Sequence, residues 1–204
     1  MSSVAPRPTR RAELTRRRIL DATRELLESR GGASWSMDEV AARADLTRMT
    51  VYRYFPSRTK LLLATVRHVD TEEDARGRFA VVHHCRSGAE ALDRWVEVWV
   101  NYVPRIHRLA QALLVARASD QAAAAAWRDR TEFLRDGCKR IVAWLRKDGM
   151  LASELDVETG ADLMWVLVSV QVWDALTQER SWTPERYGAH LRLLLRAALL
   201  RTEQ

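Results

Sequence analysis

Residues Ser36–Leu61 read SMDEVAARADLTRMTVYRYFPSRTKL, and this stretch decides the fold. Ser36 is a strong helix N-cap, and Glu39 three residues later completes a capping box. Met37, Val40, Ala41 and Ala44 then fall at i, i+3, i+4 and i+7, the stripe of a short amphipathic helix. The small Ala41 and Ala44 let another helix cross closely. Asp45 and Leu46 form the turn, Thr47 caps a second short helix, and Val51, Tyr52 and Phe55 give that helix one packing edge. Pro56 ends it, because the proline ring cannot continue a helix, and Ser57 caps the next. Two short helices around a tight turn predict a helix-turn-helix.

The polar side of the second short helix suits duplex DNA. Thr47, Arg48, Met49 and Tyr52 fall on its N-terminal, outward side. Arg48 has the donors for a bidentate contact to a guanine edge, and Met49 and the Tyr52 ring suit thymine methyl groups. Ser36 and Thr50 stand where helix starts meet phosphates, and Arg53, Tyr54 and Arg58 reach the backbone beyond. Residues 1–12 are expected to be a flexible basic arm. Its Arg7, Arg10 and Arg11 resemble a minor-groove arm and equally describe a soluble tail.

Charge supports this division. Residues 1–60 hold 13 Lys+Arg against 7 Asp+Glu, whereas residues 61–204 hold 20 of each. The whole excess of +6 therefore lies with the helix-turn-helix, as in a polyanion reader on a neutral carrier. Cys85 and Cys138 lack CxxC spacing and are expected to be idle thiols in a reducing cytoplasm. No secretory signal is expected, since no apolar run follows the N-terminal arginines. The most apolar stretch, Leu163–Leu176, is interrupted by Ser169, Gln171 and Asp174, so no membrane span or membrane partner is expected.

The remainder reads as helices with short breaks. They are expected over about Glu13–Ser29 (stopped by Gly31-Gly32), Arg58–Arg78, Ala89–Tyr102, Pro104–Arg117, Gln121–Lys147, Val157–Leu176 and Pro184–Leu200. The fold class is all-α with about nine helices. Its parts are a helix-turn-helix domain at 13–60 and a ligand-binding and dimerisation domain at 61–204.

LTRRRILDATRELLESRG followed by SMDEVAARADLTRMTVYRYFPSRTKLL resembles the TetR family of bacterial one-component transcription regulators. The close likeness covers about residues 13–63, and TVYRYFPSRTKLL is its most specific part. The resemblance implies an Ω-shaped homodimer with an operator-binding N-terminal domain and a divergent C-terminal ligand domain. It implies base contacts by Arg48, Met49 and Tyr52 with Thr47 close by, and phosphate contacts by Ser36, Thr50, Tyr54 and Arg58. The chain departs from the pattern at Asp45 (usually a turn glycine), Met49 (usually small), Tyr54 (commonly histidine) and Arg58 (commonly lysine).

One short recognition helix reads few base pairs, so two copies on a palindrome are expected, about 34–36 Å apart. Val166 and Val170, with the stripe Leu191, Leu194, Leu195 and Ala198, are the candidate dimer surface. Seven of the eight tryptophans lie beyond residue 90. Trp95, Trp99, Tyr102, Trp127, Trp165 and Trp173, with polar His107 and Gln171, are candidates to line a pocket for a small apolar or aromatic effector, core packing being the alternative for each. His83, His84 and Cys85 are adjacent and lack a fourth partner at ligand spacing, so no metal or other cofactor is expected. No nucleophile motif or carboxylate pair marks an enzyme. The expected function is a repressor of double-stranded operator DNA, released by a small molecule. The alternatives are a ligand-independent activator or architectural DNA binder, and a helical enzyme with an incidental basic head.

Overall fold

The computed structural model describes residues 10–30 and 35–201. Arg7 of the expected arm and the Gly31-Gly32 stop lie outside these residues. The described residues are all-α: ten α-helical segments against about nine expected, with one isolated antiparallel bridge between Leu151 and Leu200. None of the described helices is long and apolar enough to cross a membrane. The chain divides into two compact units, one up to Asp70 plus Arg108–Ala124, the other Thr71–His107 plus Ala125 onward.

In the first unit, α1 (Arg10–Arg30) begins three residues before the expected Glu13, so Arg10 and Arg11 stand in its first turn. It buries Ile19, Leu20, Ala22, Leu26 and Leu27. Thr23, fully buried, satisfies its hydroxyl by donating to Ile19 O at 2.7 Å. The capping box of α2 (Met37–Arg43) is present: the Ser36 amide donates to Glu39 Oε2 at 2.8 Å and Ser36 Oγ accepts from the Glu39 amide at 3.3 Å. Asp45 then turns the chain with φ 51°, the left-handed region that glycine enters most readily. Arg18 secures that corner, donating to Ala44 O at 2.6 Å beside the Asp45 carboxylate. Thr47 caps α3 (Arg48–Tyr54), accepting from the Thr50 amide at 3.2 Å, and Ser57 caps α4 (Arg58–Glu73) through the Lys60 amide.

Three further helix boundaries differ from the sequence expectation, each for a local reason. The helix expected to reach Arg78 stops at Glu73. Asp74 adopts φ 42° and its carboxylate caps α5 (Ala75–Ala80) at the Gly77 amide, so one side chain both breaks a helix and starts another. A 3-10 turn, Val81–His84, follows.

The expected pair of helices around Pro104 is a single α6 (Gly88–Ala116). Proline denies Val100 O its amide and crowds the turn before it. Arg105 Nε donates to Asn101 O at 3.3 Å, supplying a side-chain partner in the disturbed turn. Buried residues on both sides of the proline, Trp99 and Val103 before it and Leu109 and Leu113 after it, hold the helix together.

The expected apolar helix Val157–Leu176 divides into α8 (Val157–Leu167) and α9 (Val170–Asp174). Ser169 Oγ accepts from the Val172 amide and offers the backbone a capped restart. A π-helical turn, Ala175–Glu179, follows. α7 (Gln121–Lys147) ends at Gly149, φ 70°, and α10 (Pro184–Leu199) has Thr183 as cap and Pro184 in its first turn, as expected.

The core of the second unit gathers Leu92, Trp95, Trp99, Leu145, Met164, Tyr187, Leu195 and Leu199, all nearly solvent-free. Each such side chain contributes about 1.5–3 kcal/mol when buried. The start of α6 meets the end of α7 at backbone contact. A Cβ on Gly88 would lie 2.7 Å from Leu145 N, and the Gly88 amide donates to Asp148 Oδ2 at 2.7 Å.

Candidate nucleic-acid interface

The fold of α2 and α3 turns one edge of α3 inward and leaves the rest to solvent. Val51 is fully buried and Phe55 nearly so. Met49, by contrast, is 82% exposed, and Tyr52 is 37% exposed. Large apolar groups held out in water on a short, rigid, capped helix are costly unless something covers them. Arg48 precedes both at the helix start, its guanidinium 5.4 Å from the Tyr52 ring centroid and its Nη1 donating to Asp38 Oδ2 at 3.0 Å. The Thr47 and Thr50 hydroxyls are 2.9 Å apart at the helix start.

The flanking candidates surround this edge. The Arg53 guanidinium stands over the Tyr54 ring at 5.6 Å, which preserves its charge while holding the side chain flat. Arg58, in the first turn of α4, stacks over Trp35 at 4.5 Å. Ser36 is exposed but engaged, its hydroxyl directed to Glu39 Oε2 at 2.9 Å. All the candidates for DNA contact thus lie in one unit. Asp38 and Trp35 were not singled out by sequence. An acidic residue in a first helical turn reads as a helix-dipole partner, and only the folded turn brings it against Arg48.

The expected pocket residues are dispersed. Trp99, Tyr102, His107, Trp127 and Trp173 are buried, Trp165 is half-buried and Gln171 is exposed. Trp99 Nε1 donates to the Tyr187 hydroxyl at 3.1 Å and His107 Nδ1 meets the Asp174 carboxylate at 2.8 Å, whereas Trp173 Nε1 is buried without a hydrogen-bond partner among the described residues. Trp95 alone of the expected group also lines a cleft of about 400 Å³ in the second unit, between α5, the 3-10 turn, α6 and α7. Sequence reasoning missed the others around it, Phe79, Phe133 and Arg140 among them, because a cleft between four elements leaves no periodic signal.

The expected dimer stripe is also divided. Leu191 and Leu195 are buried within their own unit and leave no surface for a partner. Leu194 and Ala198 are exposed, as are Val166 on α8 and the unforeseen Leu163 and Leu193, while Val170 is half-buried. The i, i+4 pair faces in, and its neighbours face out.

A model of bacterial regulatory proteins of the tetR family matches residues 19–65. An uncharacterized HTH-type transcriptional regulator of Mycobacterium tuberculosis is 46% identical over 67 residues, 33% of each chain. The HTH-type transcriptional repressor KstR of Rhodococcus jostii is 43% identical over 63 residues, 31% of this chain and 30% of that one. The chain thus spans about a third of the length of the curated relatives it matches. Among solved structures, a putative transcriptional regulator from Saccharomonospora viridis in complex with choline is similar with a TM-score of 0.80 at 18% identity, covering 93% of this chain and 100% of that one. A SmeT–triclosan complex is similar with a TM-score of 0.70 at 20% identity, covering 92% of each chain. These structural likenesses concern the fold.

Proposed function

We propose that this chain, a member of the TetR family of bacterial regulatory proteins, is a cytoplasmic repressor whose homodimer grips a palindromic operator and lets go when a small molecule binds. The observation that carries the reading is the outward edge of α3: Met49 at 82% exposure, the exposed Tyr52, and Arg48 with its guanidinium against the Tyr52 ring, on a helix capped at its start and buried on its other edge. Such an edge matches the mixed hydrogen-bonding and methyl surface of a major groove. Arg48, Met49 and Tyr52 contact bases, with Thr47 beside them. Ser36, Thr50, Arg53, Tyr54 and Arg58 position the backbone.

A second copy completes the reader. α8 and α10 pack on each other, and their exposed Leu163, Val166, Leu193 and Leu194 are large apolar groups with no cover. Joining two copies through these residues removes them from water and places two α3 helices on one duplex. The chain passes from α3 through α4 to α5, whose Phe79 lines the cleft. A ligand that shifts α5 acts on α4 by covalent continuity. By linkage it releases DNA only if it binds the DNA-free dimer more tightly than the bound one.

The test is the salt dependence of binding to a duplex selected by the protein from random sequence. Affinity is expected to fall steeply with salt, with a slope of about −0.9 per phosphate neutralised. Arg58→Gln is expected to flatten that slope by about 2, one phosphate in each subunit. Salt-independent association would contradict the reading.

A further inference from the structure

We propose that the cleft of the second unit is a built site for an aromatic carboxylic acid, so that the effector of the repressor proposed above, on which this inference rests, is an organic anion. The volume of about 400 Å³ falls in the range of small-ligand sites. Its walls are aromatic, with Phe79 from α5, Trp95 from α6 and Phe133 from α7.

Its charges are unbalanced. Arg76 and Arg140 line the cleft against one carboxylate, Asp136. Several arginines of this unit have carboxylate partners: Arg78 has Glu73, Arg94 has Glu97, Arg135 has Glu158 and Asp162, and Arg196 has Asp93. Among the described residues Arg76 and Arg140 have none. Arg76 instead stands over the Phe133 ring at 5.6 Å. A planar guanidinium beside an aromatic wall is suited to hold a carboxylate while the ring attached to it stacks.

Gly137 and Trp95 supply the independent observation. Trp95 is 2% exposed, yet its indole N–H donates to no group among the described residues. The cleft reaches it because residue 137 has no side chain. A Cβ on Gly137 would lie 3.4 Å from Trp95 Nε1 and 3.9 Å from Arg140 Nη2. Glycine inside a long helix is the least favourable ordinary residue there after proline. Here it leaves an opening with a buried donor on one side and a guanidinium on the other. One carboxylate can accept from both. Asp136 opposes an anion, but two guanidiniums and an indole donor outweigh it.

Calorimetry of the full chain with 2-naphthoate, 2-naphthamide and 2-naphthylmethylammonium tests this, since the three probes share a ring system and differ chiefly in charge. Naphthoate is expected to bind at least about tenfold more tightly than either other probe. Arg140→Gln and Arg76→Gln, both at exposed positions, are expected to abolish most of that preference. Gly137→Ala is expected to raise the melting temperature, because alanine favours the helix, while weakening naphthoate, an opposition that a purely structural role for Gly137 does not produce. Equal or tighter binding of the amide or the ammonium would overturn the anion assignment, and no binding of any probe would overturn the site. Naphthoate that binds with the expected preference but leaves operator affinity unchanged would support this site and contradict ligand-controlled release.

Discussion

Arg48 and Asp38 are joined across the helix-turn-helix: Nη1 of the first donates to Oδ2 of the second at 3.0 Å, with both side chains more than half exposed. The side chain best suited to a guanine edge therefore rests on a carboxylate in the free protein. An exposed pair of this kind is worth about 0–1 kcal/mol, little enough for a base edge to displace in the proposed complex.

Asp38→Asn is accordingly expected to strengthen binding to non-operator duplex about threefold to tenfold, since it removes both a competitor for Arg48 and a negative charge beside the proposed reading edge. Operator binding gains less, so the specificity ratio narrows. Loss of an acid from the first turn of α2 costs about 0.3–1 kcal/mol of stability. Anisotropy titrations with operator and scrambled duplex measure both affinities. An unchanged ratio would show that the Arg48–Asp38 contact has no part in reading.

Tyr52→Ala is expected to weaken operator binding about tenfold or more, by loss of apolar contact in the groove. Its exposure predicts a stability change within about 0.5–1 kcal/mol. Full operator affinity in a folded Tyr52→Ala protein would remove α3 as the reading element.

The helix-turn-helix was legible because its signals are local. Ser36 and Glu39, Thr47 and Thr50, and Ser57 and Lys60 are cap pairs three residues apart, and all are formed. The left-handed Asp45 was foreseen as the departure from a turn glycine. What the sequence left open depends on three-dimensional competition. Pro104 reads as a break, yet burial along α6 overrides it. Ser169 reads as one polar residue in an apolar helix, yet its hydroxyl restarts the chain. Tryptophan content pointed to a cavity but not to which rings line it, since the stacked pair Trp95 and Trp99 divides between cleft wall and core.

Leu194 and Leu195 are neighbours with opposite expectations. Leu194, 50% exposed, belongs to the proposed subunit interface, and Leu194→Glu is expected to yield a folded monomer in sedimentation with its melting temperature otherwise set by dimer loss. Leu195 is fully buried, and Leu195→Ala is expected to cost about 2–5 kcal/mol in denaturant titration. A Leu194→Glu protein that remains dimeric would place the interface elsewhere.

Tyr187 offers a pH test of the core. Burial pushes its phenol up to about 12, only partly countered by the hydrogen bond from Trp99. The folded state thus holds the proton more tightly than the unfolded chain, whose phenol titrates near about 10. The associated stability is complete below about pH 10 and is lost as pH rises towards about 12. Tyr187→Phe is expected to lower stability at neutral pH by about 1–3 kcal/mol, leaving the Trp99 donor unpaired, and to flatten the decline above pH 10. Parallel pH profiles for the two proteins would refute this account of the core.

Selection of bound duplexes from a random library by the purified chain tests the central claim most directly. The account predicts an inverted repeat whose half-sites are centred about one helical turn apart, bound by a dimer and lost with Tyr52→Ala. Recovery of duplexes with no shared sequence, or of a single unrepeated half-site bound by a monomer, would contradict it.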